Sequence, residues 1–478
     1  MKELIFKTKS YKHQLDGLNI SILEKGYALF MHMGTGKSKV AIDTIANLRN
    51  NGLVDGALII GNNGSYQNWV DYEIPKHMPD QISHYVTYWD SNAKKELSKT
   101  YETLFRKEQE LKILVVNIEA IATKRASALI SRFTKEYQTI LILDESTTVK
   151  NPSALRTKAA IKIGAACKYR RILAGEPSTK SPLDLYSQVA VLGPGLLGFT
   201  SFYAFRARYA DMLRINAGGR AFNKIIGYKN LEELSSKLSK ISYRVTKEEC
   251  LDLPPKVYQT YSVSLTEEQA AMYKTLREEA LIELETGLVT APLVVTKLLR
   301  LHQLVCGHLT NDEGQVIKVP SNRISALVEI LEETQGKVII WATYRHDIQE
   351  INRVLSATYG QESVVSYYGD TDSDARSRAV ELFQDPASGT RFFVSNPKTG
   401  GYGITLTSAN TVIYYSNNFD LEVRLQSEDR AHRIGQTKSV TYIDMVAKGT
   451  IDEKVISALR EKKKLSVTVL GDQWKEWI

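Results

Sequence analysis

The run Met33-Gly34-Thr35-Gly36-Lys37-Ser38 places two glycines, a lysine and a hydroxyl side by side between an apolar stretch and a helical pattern. Glycines let a backbone approach a polyanion closely, and the N–H groups of a turn that opens a helix can cradle phosphates. Lys37 is then positioned to reach β- and γ-phosphates, and Ser38 to offer its hydroxyl to Mg2+. Met31 stands where the full phosphate-loop pattern has its first glycine. Downstream, Leu141-Ile142-Leu143-Asp144-Glu145 is an apolar strand ending in two acids. That arrangement lets Asp144 hold the same Mg2+ while Glu145 polarises an attacking water. The chemistry expected is hydrolysis of ATP with Mg2+ as its companion ion, and Lys37, Asp144 and Glu145 are its catalytic candidates in this part of the chain.

A second constellation lies near the end. Arg430 and Arg433 are three residues apart. If the segment is helical, they share one face and both guanidinium groups can reach a γ-phosphate. A salt-bridged surface helix is the competing explanation. Cys306 and His308 supply two ligand types without a second cluster, which falls short of zinc spacing, so no metal-binding motif is assigned beyond Ser38 and Asp144.

The elements that must carry these residues are short apolar runs bounded by glycine or polar residues: YALFMHM, DGALIIG, LKILVVN, TILILDE and YRRILAG. They read as buried parallel strands, with helical patterns such as KVAIDTIANLRN between them. A second set, KVIIWATY, SVVSYYG, TRFFVSN, NTVIYYS and VTYIDMV, repeats the alternation. The fold class is therefore α/β with two doubly wound parallel sheets and helical insertions. The first lobe is expected over 1–245, with a core at about 1–195 and a helical extension over 196–245 that includes FYAFRARYADML. A linker follows at 246–256, where Leu253-Pro254-Pro255-Lys256 stiffens the chain. The second lobe is expected over 257–460, with a helical insertion at about 262–312 and a core at about 321–460, leaving a tail at 461–478. The charged run Arg460-Glu461-Lys462-Lys463-Lys464 reads as a solvated helix face.

Composition bounds the rest. A chain of 478 residues, 43% hydrophobic and 24% charged, can build two or three globular domains. No apolar run approaches the roughly 20 residues that span a bilayer. The start MKELIFKTKSYKHQ lacks a signal-peptide core, and three scattered cysteines fit a reducing compartment, so a cytoplasmic location and no membrane partner are expected. A net charge of +8 is compatible with a polyanionic partner without defining one. The 25 tyrosines are scattered and form no recognisable base-stacking platform.

At this point the chain resembles the superfamily-two helicases, and among them the Swi/Snf-type ATPases, over nearly its whole length. Tyr11-Lys12-His13-Gln14 resembles the Q motif, which implies that Gln14 reads adenine. Leu58-Ile59-Ile60 with Trp69 and Glu73 is similar to the next family element, and Asp144-Glu145-Ser146-Thr147 with Val149-Lys150-Asn151 to the DExx box. Leu173-Ala174-Gly175-Glu176-Pro177 sits where the family has LTGTP, so Ala174 and Glu176 replace two threonines. Leu185-Tyr186-Ser187-Gln188, Arg244-Val245-Thr246-Lys247-Glu248 and Leu299-Arg300-Leu301-His302-Gln303 continue the match. Gly400-Gly401-Tyr402-Gly403-Ile404-Thr405-Leu406-Thr407 resembles motif V, and Gln426-Ser427-Glu428-Asp429-Arg430-Ala431-His432-Arg433-Ile434-Gly435-Gln436 resembles motif VI.

The resemblance implies two RecA-like lobes. ATP would be bound by Gln14, Met33, Gly34, Thr35, Gly36, Lys37, Ser38 and Gln426, with Arg430 and Arg433 as arginine fingers. Gly175, Pro177, Gly400, Gly401 and Gly403 would couple nucleotide to DNA. It also implies double-stranded DNA as the track, without obligatory strand separation, and disfavours RNA. A helicase acting on forked or junction DNA is one alternative, and a regulatory ATPase that binds a protein and does not translocate is another.

Overall fold

The computed structural model describes residues 2–62, 66–90, 101–106, 108–178, 181–217, 220–250, 253–285, 291–311, 313–400 and 404–470. The chain divides into two units. One holds Met1–Leu213 and Lys224–Asp252 with the C-terminal stretch from Lys464; the other holds Arg214–Asn223 and Leu253–Lys463. The main crossing, between Asp252 and Leu253, falls inside the expected linker, but the short helix Lys247–Cys250 belongs to the first unit.

The first unit is built on β1 (Gly26–Met31), β2 (Gly56–Gly61), β3 (His84–Tyr88), β4 (Leu111–Asn117), β5 (Thr139–Leu143), β6 (Tyr169–Leu173) and, after a hairpin of β7 (Ala210–Ala217) and β8 (Arg220–Tyr228), β9 (Ser242–Val245). The seven-stranded sheet runs β3-β4-β2-β5-β6-β1-β9, and every pairing in it is parallel. Both faces are covered. Ala28, Phe30, Leu58 and Ile60 point into one core and Leu29, Met31, Ala57 and Ile59 into the other. That two-sided burial is why these strands appear in the sequence as unbroken apolar runs instead of alternating ones.

The second unit carries β10 (Lys256–Val263), the small hairpin β11 (His308–Thr310) and β12 (Val316–Lys318), β13 (Lys337–Trp341), β14 (Val364–Tyr367), β15 (Phe392–Ser395), β16 (Ala409–Tyr414) and β17 (Val440–Ala447). Its six-stranded parallel sheet has the order β10-β17-β16-β13-β15-β14. Val338 and Ile340 face one core, Ile339 and Trp341 the other. The helical insertion is present as Glu267–Glu285 and Ala291–Cys306.

Two expectations need correction. The extension over 196–245 is not wholly helical: helix Phe202–Tyr209 gives way at Ala210 to the β7–β8 hairpin, and β9 adds an edge strand beside β1. The β-branched and aromatic residues of the hairpin's second strand suit a pleated surface, and tertiary pairing overrode the helical spacing. The core of this lobe therefore does not end at about 195, because Val245 of β9 is one of its buried residues.

Candidate nucleotide site

The sheet order of the first unit brings the sequence motifs together. Strands β5, β6, β1 and β9 lie side by side in that order and point the same way. The acid pair follows β5, the Gly175–Pro177 segment follows β6, and the phosphate loop follows β1, all at the C-terminal edge, where open α/β sheets hold their ligands.

Between β1 and helix α2 (Lys37–Asn50), the loop is shaped by its glycines. Gly34 and Gly36 have φ of 78° and 91°, in the left-handed region that disfavours side chains. A Cβ on Gly36 would lie 2.2 Å from Gln14 Nε2. Thr35 is fully buried, and its hydroxyl donates to the His32 carbonyl at 2.7 Å. The N–H groups of the first turn of α2, at Lys37 and Ser38, have no intrahelical acceptor, so they are available to an anion. Lys37 does not project into solvent: it is 9% exposed, and its Nζ lies 3.5 Å from the His32 carbonyl. Gln14, in α1 (Lys12–Ser21), is also buried. Its Nε2 donates to the Thr35 carbonyl at 3.0 Å while its Oε1 accepts from Tyr11 N–H at 3.0 Å, so in this structure the glutamine braces the loop.

Asp144 is oriented from two sides: Oδ2 accepts the Trp69 indole N–H at 3.1 Å, and Oδ1 accepts the Glu145 N–H at 3.0 Å. Burial raises the pKa of this carboxyl, outweighing the opposing pull of Lys37, Trp69 and the Glu145 N–H. A cation beside it would relieve that penalty. Glu145 itself has φ of 48° without being glycine, a conformation costing roughly 1–3 kcal/mol that clusters at functional sites. Among the described residues no group of three His, Cys, Asp or Glu could hold a metal. Mg2+ is ordinarily held by one or two protein ligands together with phosphates. Ser38 and Asp144 are the residues that fit it.

The Glu176 departure acquires an explanation. Glu176 Oε1 lies 2.7 Å from His32 Nε2 and 3.0 Å from Arg244 Nη2. Burial alone would raise the Glu176 pKa, but Arg244 and His32 outweigh it and hold the carboxyl well below the usual carboxylate range. Gly175 packs against the phosphate loop: a Cβ there would be 3.2 Å from Met33 Cγ and 3.8 Å from Lys37 Nζ. The Pro177 carbonyl accepts Gln188 Nε2 at 2.7 Å.

In the second unit the two arginines lie together by a different route from the one the spacing suggests. The helix Leu421–Glu428 ends before Arg430, so the pair does not share a helical face. The chain leaves the α-helical pattern because Arg430's carbonyl is taken by Leu406 N–H at 3.0 Å, and the N–H groups of Arg430 and Ala431 reach back only three residues, to Ser427 and Glu428. Both guanidinium groups nonetheless converge on one oxygen, the Ile404 carbonyl, at 3.0 Å from Arg430 Nη1 and 3.4 Å from Arg433 Nη1. Gln436 stitches the same region to Thr407 and Ala409 carbonyls at 3.1 and 2.8 Å. The motif V and motif VI segments thus form one hydrogen-bonded body. Arg430 is 6% exposed and Gln426 is 2% exposed. Both amide atoms of Gln426 lack a hydrogen-bond partner, an unusual state for a buried amide that a polar ligand would resolve.

The helix beneath is anchored by Arg424, whose guanidinium stacks 3.5 Å from the Tyr414 ring centroid and pairs with Glu428 at 2.8 Å and Asp444 at 2.5 Å. Gly400 is a packing position, since a Cβ would fall 2.5 Å from Ser395 Oγ. Gly401 and Gly403 lie outside the described residues. Sequence reasoning missed His32 and Arg424, and placed Trp69, Gln188 and Arg244 in family segments without giving them a role. The one available signal was Glu176, an acid in an apolar context that needed a partner.

One parallel α/β unit carries a phosphate loop and an acid pair, and the other carries an arginine pair. The comparisons agree. The SNF2-related domain matches residues 13–310, more than half the chain, and the helicase conserved C-terminal domain matches residues 322–435. The chain belongs to the SNF2-related family. It is 28% identical over 350 residues to YwqA of Bacillus subtilis (strain 168), whose name provisionally calls it an ATP-dependent helicase/translocase, covering 71% of this chain and 36% of that protein. It is 26% identical over 457 residues to the SWI/SNF-related matrix-associated actin-dependent regulator of chromatin subfamily A-like protein 1 of Drosophila melanogaster, covering 95% of this chain and 55% of the relative. The chain thus spans about a third to a half of the length of these relatives. The SWI2/SNF2 ATPase core of Sulfolobus solfataricus, solved in complex with dsDNA, aligns over 99% of this chain and 96% of that one, at 25% identity and a TM-score of 0.42.

Proposed function

We propose that this chain hydrolyses ATP to move along double-stranded DNA, remodelling DNA or the protein–DNA complexes in its way. The observation that carries the reading is the oriented Asp144 beside a phosphate loop in one unit, joined by Arg430 and Arg433 converging on a single oxygen in the other. Lys37 and the α2 N-terminus bind phosphates, and Glu145 orients the water that attacks the γ-phosphorus. Arg430 and Arg433 stabilise charge on the transferring group, and Gln426 finds its missing partner in the nucleotide. Ser38 and Asp144 would hold Mg2+, which when bound would supply neutralisation of phosphate charge. Because the reaction needs groups from both units, turnover is coupled to their motion.

DNA is the proposed track because the SNF2-related domain covers most of the chain and the motif resemblance implies duplex DNA. A cytoplasmic setting is part of the proposal and rests on the three scattered cysteines of the sequence. The test is Lys37→Ala: DNA-stimulated ATP turnover should fall to background while duplex binding persists. Near-parental turnover by a folded Lys37→Ala protein would mean the site is misplaced.

A further inference from the structure

The acid at position 176 does not belong to the phosphate-binding machinery, yet it is paired with both His32 and Arg244 beside it. Its partners come from neighbouring strands. Glu176 follows β6, His32 follows β1, and Arg244 lies on β9, with Phe30 and Arg244 in register across the β1–β9 pair. Arg244 Nη1 also donates to the Gly175 carbonyl at 2.5 Å and the Phe30 carbonyl at 3.3 Å, so one guanidinium joins the ends of all three strands. His32 Nδ1 accepts the Lys247 N–H at 3.3 Å, and its Nε2 lies 2.7 Å from Glu176 Oε1 and 2.9 Å from Arg244 Nη2. The Glu248 carboxylate is 3.8 Å from that Nδ1. On the other side, the His32 carbonyl receives Lys37 Nζ and the Thr35 hydroxyl.

We propose that His32, Glu176 and Arg244 form a charged brace that transmits displacement of the phosphate loop on nucleotide binding to residues 246–250, the segment that leads out of the first unit. The proposal rests on the assignment of the loop as the nucleotide site and deepens it. The physical basis is the stiffness of paired charges in partly dry surroundings. The Glu176 and Arg244 side chains are 21% and 14% exposed, so their hydrogen bonds are stronger than surface ones and expensive to leave half-made. A shift of Lys37 towards a phosphate gives up its 3.5 Å contact with the His32 carbonyl, and His32 is held in turn by Glu176, Arg244 and the Lys247 N–H. Two threonines would offer neutral hydroxyls here; a carboxylate fixes the geometry of three strands at once. The three are positioning residues, acting through Lys37 and Gly175.

The experiment is hydrogen exchange of the full chain with and without a non-hydrolysable ATP analogue and Mg2+, alongside steady-state ATPase with and without duplex DNA. In the parental chain the analogue should change exchange across residues 246–250. In Glu176→Gln, which keeps the shape and removes the charge, that change should vanish and kcat should fall roughly ten- to a hundredfold, the worth of a charged hydrogen bond. KM for ATP should move much less, and Glu176→Asp should recover part of kcat. Arg244→Lys, which keeps the charge but loses the fork, should behave like Glu176→Gln and stands in if that variant fails to fold. An unchanged 246–250 segment in the parental chain, or the same analogue response in the folded variants, would overturn the brace. Absence of DNA stimulation in the parental chain would instead count against the motor reading, leaving the exchange comparison to decide the brace.

Discussion

Ser146 Oγ donates a 2.7 Å hydrogen bond to Gln188 Oε1, and the same amide donates through Nε2 to the Pro177 carbonyl. Through this strut the residue after Asp144 and Glu145 is tied to the end of the Gly175–Pro177 segment, with both side chains fully buried. Gln188→Leu removes the acceptor and strands the Ser146 hydroxyl without water, at a cost of about 1–3 kcal/mol. The melting temperature should drop. Adding Ser146→Ala should recover part of the loss, because the stranded hydroxyl is then gone. A double-mutant cycle by denaturant unfolding measures this, and strict additivity of the two substitutions would count against the strut.

The arginines differ in surroundings, so their substitutions should differ in kind. Arg430 is buried and donates Nε to the Gln426 carbonyl at 2.9 Å, whereas Arg433 is only half-buried. Arg433→Ala should therefore lower kcat on the order of 10³–10⁵-fold, as for other arginine fingers, with little change in stability. Arg430→Ala should lower kcat and also destabilise the second unit, because Gln426 and Ile404 carbonyls lose a donor. Turnover and thermal unfolding of both variants check the difference.

Acid should weaken the first unit through His77. This imidazole is 9% exposed, with its Nδ1 2.8 Å from Thr8 Oγ1. Burial first, then Lys39 and Lys76, push its pKa down from 6.5 to about 4. The unfolded chain therefore binds the proton more readily than the folded one. The resulting stability is fully present above pH about 6.5 and is lost as pH falls towards 4, to a maximum of about 3 kcal/mol. Denaturant unfolding between pH 7 and 4 should show this slope, and His77→Gln should flatten it.

Much of this was legible in the sequence, for identifiable reasons. Ten strands are continuous apolar runs because both faces of each sheet are covered, and the glycines at 34 and 36 stand where φ is positive. β9 was not legible: SYRV is short, polar at its centre, and becomes a strand only because β1 offers an edge. The arginine pair illustrates the opposite case, in which the right residues were picked by the wrong geometry. Spacing suggested a shared helical face, whereas a carbonyl at Ile404, far away in sequence, gathers them. The His32–Glu176–Arg244 grouping could not be read at all, because its members come from three segments that only the strand order β6-β1-β9 makes adjacent.

The measurement that bears most directly on the central claim is displacement of a third strand annealed to duplex DNA. A motor that grips phosphates collides with the third strand as it tracks, so ATP should release it while the underlying duplex stays paired. Lys37→Ala should release none. Release should be largely independent of sequence, and both it and duplex-stimulated turnover should weaken as salt rises, because backbone contacts depend on counterion release. Separation of plain forked strands by ATP, with the third strand left in place, would contradict duplex tracking and assign the chain to strand unwinding instead.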